Sequence, residues 1–376
     1  MIVVFSALTV RPGSFDGAAT FCLNVARELP AALPEASVVV LVRDGENRLA
    51  DAAGLSVVPV PLRTTLHRIG FEAFLLPRLL TRLQADVFIS PNESVPKRVP
   101  CAMVVVAQNL VYHRPSGTGT FVGDSAVRRL RSRLQASYYR ARMSHAYRRA
   151  AQIVAVSSET ARVLHESAGL DLVKTAVVHE GADSFLLPPA RAEGRQPRLL
   201  VVSALSPYKG IEQVLAIFVG VRVGQPSLTL HLVGADWRGF RGVLERRARE
   251  LDVHDSVQFH GAIRPQELAD LYATSTVLLA LSSVESFGLP IVEAMRYGLP
   301  VVAADRSSLP EVAAGAALLV DPDDVPAAEA AVAGLLADTA RWNDLSKAGR
   351  ERAGELTWAK TAAGIASAAR RALGNG

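Results

Sequence analysis

The stretch Leu281-Ser282-Ser283-Val284-Glu285-Ser286-Phe287-Gly288-Leu289-Pro290-Ile291-Val292-Glu293-Ala294-Met295-Arg296-Tyr297-Gly298-Leu299-Pro300-Val301-Val302 joins the end of one apolar run to the start of the next. A strand ending near Leu281, a loop over Ser282–Gly288 and a helix with Pro290 in its first turn account for it, since a first-turn proline gives up no helical hydrogen bond. Gly288 lets backbone come close to a ligand. The helix start presents unpaired N–H groups and a partial positive charge, which suit a diphosphate. Glu285 precedes the helix and Glu293 lies in its second turn. Carboxylates accept two hydrogen bonds in fixed geometry and so suit sugar and ribose hydroxyls. Each acid also has a plainer reading, Glu285 as a helix-terminus charge and Glu293 as a surface helix residue.

Outward from this stretch, short β-branched runs alternate with amphipathic segments. Strands are expected at Ile2–Ser6, Val38–Val42, Val57–Val60, Val87–Ser90, Ala102–Ala107, Ile153–Val156 and Ala176–His179, with helices near 17–30, 68–84, 125–150 and 159–168. After a polar, Pro/Gly-containing linker (189–197) the alternation restarts. Strands are expected at Arg198–Ser203, Leu228–Val233, Val257–His260, Val277–Leu281, Val301–Ala304 and Ala317–Val320, and helices near 210–222, 239–251, 265–274, 289–297, 325–337 and 341–354. Buried strands separated by helices signify parallel α/β sheets covered on both faces. Two such domains are expected, with ligands beyond the carboxyl ends of the strands, so that facing sheets share a cleft.

The 376 residues are 49% hydrophobic and 20% charged, which excludes a disordered chain and gives each domain enough apolar material for its own core. No apolar run approaches the roughly 20 residues of a membrane span. Met1 leads directly into Ile2-Val3-Val4-Phe5, without the basic segment or cleavage site of a signal peptide, and a cytoplasmic protein is expected. Cys22 and Cys101 form neither a disulfide framework nor a metal-ligand spacing. The net charge of +5 is uneven: residues 1–190 hold 21 Lys/Arg against 15 Asp/Glu, the remainder 20 against 21. Between Asp124 and Glu159 there is no acid but eight arginines, Arg128, Arg129, Arg131, Arg133, Arg140, Arg142, Arg148 and Arg149. On a helix, Arg129, Arg133 and Arg140 fall near one side and Leu130, Leu134 and Met143 near another, so the apolar side is expected on the sheet and the basic side outward. That basic side is either a solvated face or a contact for an anionic membrane.

The string Glu285-Ser286-Phe287-Gly288-Leu289-Pro290-Ile291-Val292-Glu293-Ala294-Met295 closely resembles the donor-site signature of family 4 retaining glycosyltransferases of the GT-B fold: two acids with seven residues between them, Phe-Gly-Leu-Pro among these. The resemblance extends along most of the chain. Ser203-Ala204-Leu205-Ser206-Pro207-Tyr208-Lys209-Gly210 is similar to the segment carrying basic groups for the donor diphosphate. Phe259-His260-Gly261 with Glu267-Leu268 and Leu271-Tyr272 resembles the lining of the nucleotide base. Leu309-Pro310-Glu311-Val312, Leu318 to Pro322, Val156-Ser157, Gly181-Ala182-Asp183 and Leu356-Thr357-Trp358 match further landmarks, and Asp16-Gly17-Ala18 resembles the Gly-rich loop facing donor phosphates or acceptor.

This resemblance implies two Rossmann-like domains, an acceptor-side one over 1–188 and a nucleotide-sugar-binding one over 198–355, with a terminal helix in 356–376 returning to the first. It implies transfer of a hexose-type sugar from a nucleotide-diphosphate sugar to a glycan or lipid-linked acceptor, with retention, in cell-surface polysaccharide or glycolipid synthesis. Lys209 and the Gly288–Leu289 amides would stabilise the leaving diphosphate, Glu285 would hold sugar hydroxyls and Glu293 the ribose. Gly17, Ser203, Gly234, Arg264, Ser286 and Phe287 complete the implied donor site. No metal, cofactor or nucleic acid is implied. The sequence departs from the family where it has Ala204 and Tyr208 in place of an arginine near Lys209, and Gln108-Asn109 in place of a His-Asp pair whose histidine contacts the donor sugar; Arg264 and His113 are the expected substitutes. These departures leave open a catalytically silent GT-B protein that binds sugar nucleotide or glycan as a partner module.

Overall fold

The computed structural model describes residues 1–374 apart from Asn92, Ser94, Lys97, 114–125 and 184–196, and it leaves out the side chains of Thr65, Leu66, 126–129 and Arg131. The expected linker, save Pro197, lies outside the described residues.

Two parallel sheets are present. The first runs β1 (Ile2–Ser6), β2 (Ser37–Arg43), β3 (Leu55–Val60), β4 (Val87–Ser90), β5 (Ala102–Ala107), β6 (Gln152–Ala155) and β7 (Thr175–Val177), in the spatial order 3-2-1-4-5-6-7. The second comprises β8 (Arg198–Val202), β9 (Thr229–Val233), β10 (Val257–Gly261), β11 (Val277–Ala280), β12 (Val301–Ala304) and β13 (Leu318–Val320), in the order 10-9-8-11-12-13. Each is the doubly wound arrangement, in which the strand order reverses beside the first strand and opens a crevice there. β1 and β4 are the reversing pair in one sheet, β8 and β11 in the other. The expected strand runs agree with these bounds to within two residues, because strands buried on both faces are written as unbroken apolar runs.

The chain divides into a unit made of Met1–His113, Arg133–Ser184 and Thr357–Gly376, and a second made of Arg114–Ser132 and Phe185–Leu356. In the first unit, α1 (Gly17–Ala32) begins at Asp16, whose Oδ1 accepts from Ala19 N at 2.9 Å. α2 (Thr65–Gly70) and α3 (Leu76–Arg82) are joined by a π-turn over Phe71–Leu75, so the one helix expected near 68–84 is interrupted. α4 (Ala126–Arg149), whose residues up to Ser132 are counted with the second unit, and α5 (Ser158–Ala168) follow. α4 corrects the expected faces. Leu130 and Leu134 are 58% and 63% exposed, and the buried positions are Ser132, Ala136, Met143, Ala146 and Tyr147. The two leucines are left outside.

The last helix, α13 (Trp358–Ala372), is numbered after those of the second unit. It packs on α1, with the Trp358 ring edge-on to Phe21 at 5.9 Å and Arg370 paired with Glu35 at 2.8 Å. The Gly-x-Asp landmark holds its start. Asp183 Oδ1 accepts from Trp358 N at 2.7 Å, and a Cβ on Gly181 would lie 2.2 Å from that same nitrogen.

The second unit carries α6 (Ile211–Gly224), α7 (Phe240–Glu250), α8 (Pro265–Thr274), α9 (Leu289–Arg296), α10 (Leu309–Ala313), α11 (Val325–Ala337) and α12 (Thr339–Glu355). Its core joins Leu199, Val201, Leu230, Leu232, Val277 and Leu279 of the sheet to Val214, Leu215 and Phe218 of α6. Each such burial contributes about 1.5–3 kcal/mol. α10 was not expected, since five residues are too few to show a helical period.

Candidate active site

β8 and β11 lie side by side at the point where the second sheet reverses, and the loops leaving them are joined through main-chain atoms. After β8 the chain makes a 3-10 turn at Pro207–Lys209 and enters α6 through Gly210. Gly210 has φ 68°, and a Cβ there would stand 2.2 Å from Leu281 O, so the position demands glycine for conformation and for space. Ser283 N donates to Tyr208 O at 2.8 Å. Gly234, with φ 144°, does the same between β9 and β8: a Cβ would lie 1.8 Å from Ser203 O.

This zipper brings Lys209 to Glu285. Nζ and Oε1 are 2.5 Å apart, and the side chains keep 13% and 19% of their exposure. Burial alone pulls the Lys209 ammonium down, but the charge of Glu285 and its hydrogen bond outweigh that, so the pKa lies above its ordinary value and the lysine stays charged. A cavity opens beside the pair, lined by Ser203, Lys209, Ser282, Glu285, Gly288 and Pro290. Ser203 Oγ and Ser206 Oγ are buried without a hydrogen-bond partner among the described residues, a condition that buried hydroxyls rarely keep unless a ligand or water uses them.

The loop before α9 is held from below. Ser307 Oγ accepts from Glu285 N at 3.1 Å and donates to Glu285 O at 2.7 Å, and Ser308 Oγ lies 3.0 Å from Glu285 O and 2.9 Å from Phe287 O. Gly288, at φ 106°, makes the turn into the helix, with Leu309 Cδ2 2.8 Å from where a Cβ would sit. Phe287 and Leu289 are buried; Ser286 is half-buried. Glu293 is no surface residue: it is 6% exposed, and Oε2 accepts from Tyr272 on α8 at 2.7 Å. Burial pushes its carboxyl up to about 7, against the pull of the Tyr272 hydrogen bond. Tyr272 uses only Oε2, and Oε1 has no partner among the described residues.

Arg264 caps α8 and pairs with Glu267 at 2.7 Å, with its side chain 77% exposed. Among the described residues no group of three or more potential metal ligands occurs.

In the first unit Gly17 is exposed in the first turn of α1. Gln108 and Asn109 follow β5, and their amides both donate to Glu93 Oε1, at 3.0 and 3.2 Å. Tyr147 donates to the same oxygen at 3.3 Å, and the Gln108 side chain donates to Pro91 O. Glu93, 6% exposed, is pushed up to about 7 by burial, which the donated hydrogen bonds only partly offset. His113 is a packing residue here. Its Nε2 lies 3.4 Å from Met143 Sδ and its Nδ1 2.9 Å from Ser167 Oγ, and burial, helped by Arg140, depresses it to about 4. Sequence reading missed Glu93, Ser307 and Ser308. Each acts on main-chain groups far away in sequence, and one sequence carries no local sign of that.

The chain matches the model of glycosyl transferases group 1 over residues 187–352 and that of glycosyltransferase family 4 over 15–184. It is 34% identical over 220 residues to a D-inositol 3-phosphate glycosyltransferase of Segniliparus rotundus, a match covering 55% of this chain and 49% of that one, so the match spans about half of that relative's length. Among solved structures, WaaG, a glycosyltransferase involved in lipopolysaccharide biosynthesis, superposes with a TM-score of 0.74 at 16% identity, covering 96% of this chain and 99% of WaaG. Anabaena Alr3699/HepE in complex with UDP-glucose superposes with a TM-score of 0.71 at 17% identity, covering 98% of each chain. With the two models spanning nearly all of 15–352, and with Glu285 and Lys209 brought together where the second sheet reverses, the chain belongs to the family 4 glycosyltransferases of the GT-B fold.

Proposed function

We propose that the protein transfers a hexose-type sugar, with retention, from a nucleotide-diphosphate sugar to a glycan or lipid-linked acceptor. The observation that carries this reading is the Lys209–Glu285 pair, held at the β8/β11 reversal beside a small, mainly apolar cavity to which Ser203 and Ser282 add hydroxyls. Departure of a nucleoside diphosphate leaves negative charge on the phosphate and positive charge on the sugar. Lys209 and the amides at the start of α9 act on the first, with no metal called for. Glu285 orients Lys209 and accepts from sugar hydroxyls. Glu293 accepts from ribose through Oε1, with Tyr272 fixing its other oxygen. As the family resemblance implies, the acceptor attacks on the face the phosphate leaves, and the phosphate takes its proton. The complexed UDP-glucose of Alr3699/HepE is consistent with a uridine-type donor.

Mass spectrometry of the purified protein incubated with a panel of sugar nucleotides, with and without cell lipid extract, tests this. A transferred-sugar product supports it. Binding without any turnover refutes it and leaves the chain as a sugar-nucleotide-binding module.

A second contact of the acceptor side is a membrane. α4 exposes Leu130, Leu134 and Tyr138 at four-residue intervals, beside Arg133 and Arg140, on a segment without acids. No helix among the described residues is long and apolar enough to cross a membrane. Co-sedimentation with anionic but not neutral vesicles, lost at high salt, is the expected result.

A further inference from the structure

Three arginines lie on segments at the carboxyl edge of the first sheet, following β1 (Arg11), ending β2 (Arg43) and following β3 (Arg68, on α2), and Arg11 and Arg68 are near enough for their charges to act on Arg43. Arg43 is 91% buried, with a relative exposure of 9%. Its Nε donates to Leu8 O at 2.8 Å, and neither Nη atom has a hydrogen-bond partner among the described residues. Arg68 lies on the turn above, 17% exposed, its Nε 3.7 Å from Glu72 Oε1 and without a hydrogen bond. Arg11 is exposed. The charges that Arg43 senses are Arg68 and Arg11 on one side of the balance and Glu72 on the other.

The neighbouring Arg48 shows how this chain treats an arginine used only to hold structure. Its Nε and Nη2 take both oxygens of Glu46, at 2.8 and 2.5 Å, and Nη1 donates to Ser14 O at 2.7 Å. Arg43 is more buried than Arg48 yet has one neutral carbonyl. A buried cation without an equal counter-charge is costly, and like charges close by add to the cost. Burial, then Arg68 and Arg11, lower the Arg43 pKa accordingly. A planar fork with two free N–H edges is the geometry that binds phosphate bidentately. The carboxyl edge of a parallel sheet is where such sheets take ligands.

We propose that Arg11, Arg43 and Arg68 form a binding site for a phosphate group of the acceptor, carried as a phosphate ester. This rests on the transfer reading for the word acceptor, while the site itself belongs to the first unit and stands on its own residues. The donor diphosphate is held by Lys209 in the second unit, so the two anion sites are separable by mutation.

The test is calorimetric titration of inorganic phosphate into the full chain saturated with nucleoside diphosphate, at constant ionic strength in chloride. Phosphate is expected to bind, and Arg68→Gln and Arg43→Gln are each expected to weaken it at least tenfold, about 1.4 kcal/mol. Arg11→Gln is expected to weaken it less, and Lys209→Ala not at all. Because Arg43 also holds Leu8 O, Arg68→Gln carries the test if Arg43→Gln fails to fold. No phosphate binding, affinities within twofold of the unaltered chain in both Arg68→Gln and Arg11→Gln, or loss in Lys209→Ala overturns the site. The source of the phosphate is read by repeating Arg68→Gln with phosphatidylglycerol vesicles: weakened vesicle binding assigns a lipid headgroup, unchanged vesicle binding a soluble ester. Phosphate binding lost in Arg68→Gln without sugar transfer to any acceptor keeps the site and refutes the transferase reading. Transfer with phosphate binding intact in the variants does the reverse.

Discussion

Replacing Glu285 by Gln and Lys209 by Met, singly and together, separates what their ion pair does for stability from what it does for turnover. At 2.5 Å and an effective dielectric near 20, the attraction is about 7 kcal/mol before desolvation. Removing two ions from water costs several kcal/mol each, so the intact pair is worth little net. A single replacement is different, because it strands a charge in a site that keeps only 13–19% side-chain exposure. Fully buried pairs lose about 3–5 kcal/mol in that way, and the remaining exposure here reduces the expectation to about 2–3 kcal/mol. The double variant, with no charge to strand, is expected within about 1 kcal/mol of the unaltered chain, which gives a coupling of about 2 kcal/mol or more. Denaturant unfolding followed by Trp342, whose Nε1 donates to Thr276 O inside the second unit, reads this out. Turnover behaves otherwise. Both Lys209→Met and the double variant lose the cation facing the leaving diphosphate, a loss of roughly 100- to 1000-fold. A coupling under about 0.5 kcal/mol would show the pair to be effectively solvated. A turnover loss under about tenfold in Lys209→Met would remove Lys209 from the leaving-group role.

Glu293 gives a pH signature. Its carboxyl is held near 7 in the fold against an ordinary 4.5, so the unfolded chain releases this proton first, and stability falls as pH rises from about 4.5 to 7, by on the order of 3 kcal/mol. Glu293→Gln is expected to reduce the slope of that limb, to which the similarly raised Glu93 also contributes, in denaturant titrations at pH 5, 6 and 7 and to weaken nucleoside diphosphate binding by calorimetry; an unchanged slope would mean that the Glu293 carboxyl ionises freely. Gly210→Ala is expected to cost at least about 2 kcal/mol, since it meets both the left-handed φ and the Leu281 carbonyl; a thermal midpoint within a degree of the parent would contradict the zipper between the two loops. Turnover is expected to survive excess chelator in full, whereas a loss restored by magnesium or manganese would reject phosphate stabilisation by Lys209 and helix amides.

What the sequence made legible was whatever is written contiguously. The central strand runs, such as β1, β2, β5, β8 and β12, were readable because strands covered on both faces leave no room for polar alternation. Glu285, Gly288, Pro290 and Glu293 were readable because one strand, one turn and one helix place them together. α4 was misread because its 24 residues are so rich in arginine that leucine spacing seemed to mark the inner face. The buried positions are instead Ser132, Ala136, Met143, Ala146 and Tyr147, and the Ser132 hydroxyl accepts from Arg238 Nη1 at 3.2 Å. The break at Phe71–Leu75 was likewise invisible: Glu72 is 2% exposed on an otherwise apolar-looking segment, and its burial depends on Arg68 and on the fold around it.

The serines under the donor loop show why the remaining part of the site could not be read. A loop whose amides are to face a diphosphate must turn its carbonyls the other way, into the protein, where each needs a donor. Glu285 O and Phe287 O meet that need through Ser307 and Ser308, on the segment between β12 and α10. Ser307 holds φ 57° to do so, a conformation that favours glycine. Its hydroxyl both accepts from Glu285 N and donates to Glu285 O, so the local backbone strain is offset by two bonds that an unstrained glycine would not make. The carboxylate of Glu285 is thereby fixed at its own backbone as well as at Lys209. The loop before α9 is held by two hydroxyls more than twenty residues downstream, in a stretch that reads as an ordinary turn.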